Sequence, residues 1–182
     1  MVKSLGKRQN FARLIKQVSN TSSNVVLDET VIEMISQLDL RTVGRRYQQQ
    51  TTEQVTARES SERWTTDKMP LNFLYIGLIL KAMPAAKIIC LKRNPVATCL
   101  SNYRQLFAVN FSYDNYHYDI EDTAHYFGLF SKLMDHWKEL YGDRIHEISY
   151  ESLTSSPQPA LCKFASRFIR ALSDAGITIK SN

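Results

Sequence analysis

Residues 66–103, TDKMPLNFLYIGLILKAMPAAKIICLKRNPVATCLSNY, decide what kind of domain this chain can form. Pro70 suits the first turn of a helix, where its missing N–H is not needed, and the residues after it are apolar nearly all round, as in a helix buried on every side. Pro84 stops that helix. Residues 87–91, KIICL, are short, apolar and β-branched, which predicts a strand buried on both faces. Asn94 and Pro95 then form an N-cap and first residue for a second helix running to about Phe107.

The flanking sequence repeats this alternation. Between Asp119 and Tyr141, apolar residues (Tyr126, Phe127, Phe130, Leu133, Met134, Trp137, Leu140) recur every three to four positions, which predicts a long helix with one broad buried face and a stop at Gly142. Residues 144–150, RIHEISY, read as a second strand, followed by a loop over 154–159 and a last helix. Upstream, Phe11, Leu14, Ile15 and Val18 sit at helical spacing, and NTSSN (20–24) breaks the pattern. Val25 to Leu27 has the composition of a short strand. Val31, Ile32, Ile35 and Leu38 resume a helical stripe behind Asp28 or Thr30 as cap. Residues 42–62 are so rich in glutamine, threonine and charge that they read as a solvated helix or mobile segment outside the core. Strands separated by helices predict an α/β domain with a parallel sheet.

At 182 residues the chain has the length of a single domain, 1–182. Its 43% hydrophobic and 23% charged residues exclude a disordered or collagen-like chain. The apolar run from Leu71 to Leu80 is too short to span a bilayer, which needs about 20 residues. The chain opens on a mixed, basic stretch with no leader-like pattern, so a cytoplasmic protein is expected. Three cysteines without metal-type spacing fit a reducing compartment, and four histidines with no HExxH-like pattern predict no metal. The net charge of +5 favours an anionic partner. No nucleic-acid reader motif accompanies it, which ranks a nucleic-acid binder last.

Two places could carry chemistry. In parallel α/β sheets, ligands gather at the carboxyl ends of strands, and Lys92, Arg93 and Asn94 fall at such an end. A guanidinium there can grip a phosphate with two charge-assisted bonds; the plain alternative is a surface arginine. Ser101 follows about 10 Å along the helix, so an anion shared with Arg93 would lie on the helix flank and not cap its end. The second place is Lys68, just before a helix start, where the positive end of the helix dipole makes an ammonium awkward unless an anion is present. The alternative is that Asp67 caps the helix and Lys68 is solvated.

TDKMPLNFLYIGLI, PAAKIICLKRNPVATCLSNY, MDHWKEL and ISYESL, in this order, resemble the landmarks of the sulfotransferase superfamily. The likeness is closest to bacterial tetratricopeptide-linked and tyrosylprotein sulfotransferases and strongest over 40–157. The resemblance implies a P-loop-NTPase-like parallel sheet flanked by helices, here incomplete at both ends. It also implies transfer of a sulfuryl group from 3′-phosphoadenosine 5′-phosphosulfate (PAPS) to a hydroxyl or phenol on a small molecule, a glycan or a peptide tyrosine, without a metal. It assigns Arg93 and Ser101 to the donor's 3′-phosphate, Tyr150 to its nucleotide pocket and Lys68 to charge growing on the transferred group. Glu29, in LDET, corresponds to the acceptor's base, with a surface glutamate at a helix start as the alternative.

Two departures qualify this picture. The family's PRSGTT-like loop, whose glycine lets backbone N–H groups approach the phosphosulfate, is replaced by GKRQNFARL (6–14), which retains basic residues including Arg8. The segment from Leu161 onward does not follow the family's close, although KFASRFIRAL (163–172) is basic and amphipathic. A truncated or decayed homologue that binds adenosine 3′,5′-bisphosphate or a protein partner is therefore the competing expectation. The aromatic-rich loop FSYDNYHYD (111–119) is a candidate acceptor lining or, equally, core.

Overall fold

A computed structural model describes residues 2–4, 10–20, 29–56, 64–105, 116–162 and 165–166. The chain divides into two compact units, Met1–Ala86 and Lys87–Asn182.

The first unit contains β1 (Val2–Ser4), α1 (Asn10–Val18), α2 (Glu29–Ser36), α3 (Leu40–Thr56), β2 (Trp64–Thr66), a 3₁₀ segment (Pro70–Tyr75) and α4 (Ile76–Ala82). Strands β1 and β2 pair in parallel, Val2 opposite Trp64, so the three helices between them form the crossover that parallel pairing demands. The core is Phe11, Leu14 and Ile15 of α1, Val31 and Ile35 of α2, Val43 and Tyr47 of α3, and Tyr75, Ile76, Ile79, Leu80 and Ala82 of the last two elements. Phe11 sits edge-on to both Tyr47 and Tyr75, at 5.7 and 6.1 Å between ring centres. Asn20, at a φ of 49°, takes the left-handed conformation just past the end of α1, which asparagine tolerates better than most residues.

Two expectations change here. Helix α3 forms within the stretch expected to lie outside the core, yet Val43, Tyr47 and Thr51 are buried. They recur every fourth residue, a stripe narrow enough to be hidden among polar neighbours. The run after Pro70 is not one α-helix. It starts as 3₁₀, with Asn72 N–H donating to the Met69 carbonyl at 3.0 Å, and becomes α-helical only at Ile76.

The second unit contains β3 (Ile88–Lys92), α5 (Pro95–Tyr103), α6 (Ile120–Tyr141), β4 (Ile145–Ser149) and α7 (Tyr150–Ser155). Strands β3 and β4 are parallel, from Ile88 opposite Ile145 to Lys92 opposite Ser149. The Asn94–Pro95 start of α5 is as expected: the Asn94 side chain accepts from Ala97 N–H at 3.1 Å. The helix ends at Tyr103, short of Phe107. Asp119 caps α6, accepting from the N–H groups of Glu121 and Asp122, and Gly142 closes it. Only Thr123 and Met134 of α6 are fully buried, so its apolar face is broad but half-covered. Residues 157–162 are helical where a loop to 159 was expected.

Strand β3 is not buried on both faces among the described residues. Ile88, Cys90 and Lys92 are partly covered, whereas Ile89 and Leu91 on the other face are 50% and 55% exposed. Lys138 of α6 reaches Glu147 of β4, which pairs with Cys90, so α6 packs on the covered face. The expected Val25–Leu27 strand, the NTSSN loop after Asn20, residues 6–9 with Arg8, residues 111–115 and most of the basic tail lie outside the described residues.

Candidate functional site

Parallel pairing in register brings the carboxyl ends of β3 and β4 side by side, Lys92 against Ser149. The chain leaves β3 through Arg93 and Asn94 into α5, and leaves β4 directly into α7, whose cap Ser149 accepts from Ser152 N–H at 3.2 Å. Two turns therefore emerge together, and the Arg93 guanidinium lies over the Tyr150 ring, 5.1 Å from its centre. That is within the range of a cation–π contact, about 0.5–1 kcal/mol at an exposed site.

Of the two cations at this strand end, only one is committed to an ion pair among the described residues. Lys92 Nζ lies 2.8 Å from Glu147 Oε1, and Lys138 Nζ lies 3.0 Å from the same oxygen. Burial pushes the Glu147 carboxyl up, but the two ammonium groups outweigh it and hold the carboxyl below its ordinary range. Lys92 is thus spent on structure, and Arg93 is the cation that faces outward. Ser101 is exposed as well; seven residues after Asn94 it returns to nearly the same flank of α5, about 10 Å along the axis. Arg93, Ser101 and Tyr150 are all solvent-accessible, and the contact between Arg93 and Tyr150 brings two of the four expected donor-binding residues together.

The other expected residues belong to the first unit. Lys68 is exposed, two positions after the end of β2. Asp67 does not cap the following helix: its carboxylate accepts a hydrogen bond from the Tyr47 hydroxyl, and the cap position is Met69, with no side-chain bond. Glu29 is the first residue of α2 and is exposed. Arg8 falls outside the described residues.

Sequence reasoning missed Glu151. Its Oε1 accepts from the Asn94 backbone N–H at 2.7 Å, across 57 residues of chain. Its position beside Tyr150 was visible, but no local pattern connects it with Asn94. No group of His, Cys, Asp and Glu among the described residues is arranged to hold a metal.

Arg93 thus stands exposed at the carboxyl end of a parallel strand, the end where parallel α/β sheets gather ligands. The Sulfotransferase family profile matches residues 5–166, and the chain belongs to that family. A protein of Aquifex aeolicus (strain VF5), described only as uncharacterized, is 35% identical over 109 residues, which cover 60% of this chain and 14% of that protein. The matched stretch is thus a small part of that relative. No solved structure matches the chain. Among the described residues, no helix is long and apolar enough to cross a membrane.

Proposed function

We propose that the chain is a PAPS-dependent sulfotransferase that moves a sulfuryl group to a hydroxyl or phenol on a small molecule, a glycan or a peptide tyrosine. In this reading residues 1–182 form one functional domain with a P-loop-NTPase-like sheet; the family match across both units supports it. The observation that carries the donor assignment is Arg93, exposed at the carboxyl end of β3 and backed by the Tyr150 ring.

The residues divide the work by chemistry. Arg93 binds the donor's 3′-phosphate through paired N–H bonds, Ser101 adds a neutral hydroxyl donor, and Tyr150 lines the nucleotide pocket. Arg8 meets the 5′-phosphosulfate in place of a glycine-rich loop. During transfer the bond from sulfur to the phosphate oxygen breaks while the acceptor oxygen bonds to sulfur in line. Lys68 opposes the negative charge that grows on the departing oxygen, and Glu29 takes the acceptor's proton. No metal is required.

Calorimetry with adenosine 3′,5′-bisphosphate tests the donor site. Micromolar binding that Arg93→Ala abolishes supports it; no binding at millimolar nucleotide overturns it. An assay of sulfuryl transfer from PAPS to a panel of phenols and glycans then tests catalysis, and binding without any transfer removes the enzymatic half of the reading.

A further inference from the structure

The turn that carries Arg93 is tied down from the neighbouring strand end. Glu151 spans the gap with both oxygens: Oε1 accepts from the Asn94 backbone N–H at 2.7 Å, and Oε2 accepts from the Ser149 hydroxyl at 3.0 Å. Asn94 in turn reaches forward to the Ala97 N–H at 3.1 Å. The residue next to Glu151 in the chain, Tyr150, carries the ring beneath the Arg93 guanidinium. A short segment of α7 thus holds Arg93 at two points, its following backbone through a carboxylate and its side chain through a ring.

We propose that Glu151 is a positioning residue for the anion site at Arg93: by holding the Asn94 N–H it sets the Arg93–Asn94 turn so that the guanidinium stands on Tyr150. The role rests on the donor-binding reading above. The Asn94 N–H bond, together with Ser149 and the nearby Arg93, holds the Glu151 carboxyl below its ordinary range, so it is ionised at neutral pH. A consequence concerns where an anion can sit. The Asn94 N–H is already engaged by Glu151 and the Ala97 N–H by Asn94, so a phosphate gripped by Arg93 does not draw on those two donors, while Ser101 returns to the same flank of α5.

Two effects of Glu151 oppose each other, which makes the sign of a mutation informative. As an exposed negative charge beside Arg93 it repels a bound anion, an effect weakened by water and salt. As a brace it keeps the arginine in place, and replacing it frees the turn. If the brace dominates, Glu151→Ala weakens binding of adenosine 3′,5′-bisphosphate at least tenfold at 0.15 M salt. Glu151→Gln keeps an acceptor for Asn94 N–H without the charge, and binds within threefold of the parent chain or more tightly.

Calorimetry on the intact chain and the Arg93→Ala, Glu151→Ala and Glu151→Gln variants reads these differences. Amide hydrogen exchange at Asn94, measured without nucleotide, reads the brace itself. Exchange at least tenfold faster in Glu151→Ala, with protection restored in Glu151→Gln, is expected. Parent-like or tighter nucleotide binding by Glu151→Ala, in a protein where Arg93→Ala loses it, overturns the positioning role alone; so does unchanged exchange at Asn94. A parent chain that ignores millimolar nucleotide while Asn94 exchange still responds to Glu151→Ala overturns the donor reading and leaves Glu151 a structural brace only.

Discussion

The Tyr47 hydroxyl donates a hydrogen bond to the Asp67 carboxylate, joining α3 to the residue immediately before Lys68. The other Asp67 oxygen, Oδ1, is buried with no hydrogen-bond partner among the described residues. Burial therefore pushes the Asp67 carboxyl above its ordinary range, and the bond from Tyr47 offsets only part of that rise. Burial likewise raises the Tyr47 phenol, with Asp67 adding to the effect, so the phenol remains a donor throughout the neutral range.

Tyr47→Phe removes that donor and leaves the half-buried Asp67 carboxylate with neither oxygen bonded among the described residues, a cost of about 1–3 kcal/mol at pH 8. The pH dependence has a definite sign. A carboxyl raised in the folded state contributes stability in full below its unfolded value near 3.9, and that contribution is lost as pH rises through the folded value. The variant raises the folded value further, so its deficit is larger at pH 8 than at pH 5. Asp67→Asn, which keeps an acceptor for Tyr47 but cannot ionise, flattens this dependence. Urea unfolding at both pH values checks the pair; an equal deficit at pH 5 and pH 8 would contradict it.

Gly44 of α3 faces the backbone of α4. A Cβ placed on it would lie 2.0 Å from the Ala82 carbonyl oxygen and 2.8 Å from its carbon. Both atoms are backbone and cannot swing aside. Alanine's advantage over glycine in a helix is about 1 kcal/mol, while overpacking of this kind costs about 3 kcal/mol. Gly44→Ala is expected to lower the urea midpoint of the chain, whereas a surface change such as Gly128→Ala, with open space around its Cβ, should not.

Glu147, shared by Lys92 and Lys138, is held below the ordinary glutamate range. Its contribution to stability is present above the unfolded value near 4.3 and is lost as pH falls through the lower folded value. Because all three groups are partly exposed, Glu147→Gln should cost only about 1 kcal/mol at pH 7. The deficit should shrink in 1 M salt and vanish near pH 2. Parallel denaturation curves in low and high salt supply the measurement.

At the proposed donor site, Arg93→Ala is expected to reduce affinity for adenosine 3′,5′-bisphosphate at least thirtyfold. Arg93→Lys should not restore it, because an ammonium lacks the paired, planar fork of donors that a guanidinium offers a phosphate. Ser101→Ala, which removes one neutral donor worth about 1 kcal/mol, should cost only several-fold. Equal losses at the two positions would speak against the assignment.

What could be read beforehand was what neighbouring residues settle between themselves. The Asn94–Pro95 start of α5, the Asp119 cap and Gly142 stop of α6, and the turn at Pro84 all depend on contacts within about four residues, and each appears where expected. The burial of α3 was not legible, since Val43, Tyr47 and Thr51 are outnumbered by glutamines, threonines and arginines on the same helix. The same holds for the open face of β3: KIICL is apolar on both sides, and nothing in those five residues says which side another element will cover.

The amino-acid order alone determined the parallel α/β plan, the start of α5, both ends of α6 and the likeness to sulfotransferases, because periodicity, caps and prolines act over a few residues of backbone. Only the tertiary structure decided that Lys92 pairs with Glu147 while Arg93 lies over the Tyr150 ring. It alone placed Asp67 on Tyr47, 20 residues away, and Glu151 on Asn94, 57 residues away. Charges and hydrogen-bonding groups choose partners by distance in space, and that distance exists only once strands and helices have packed.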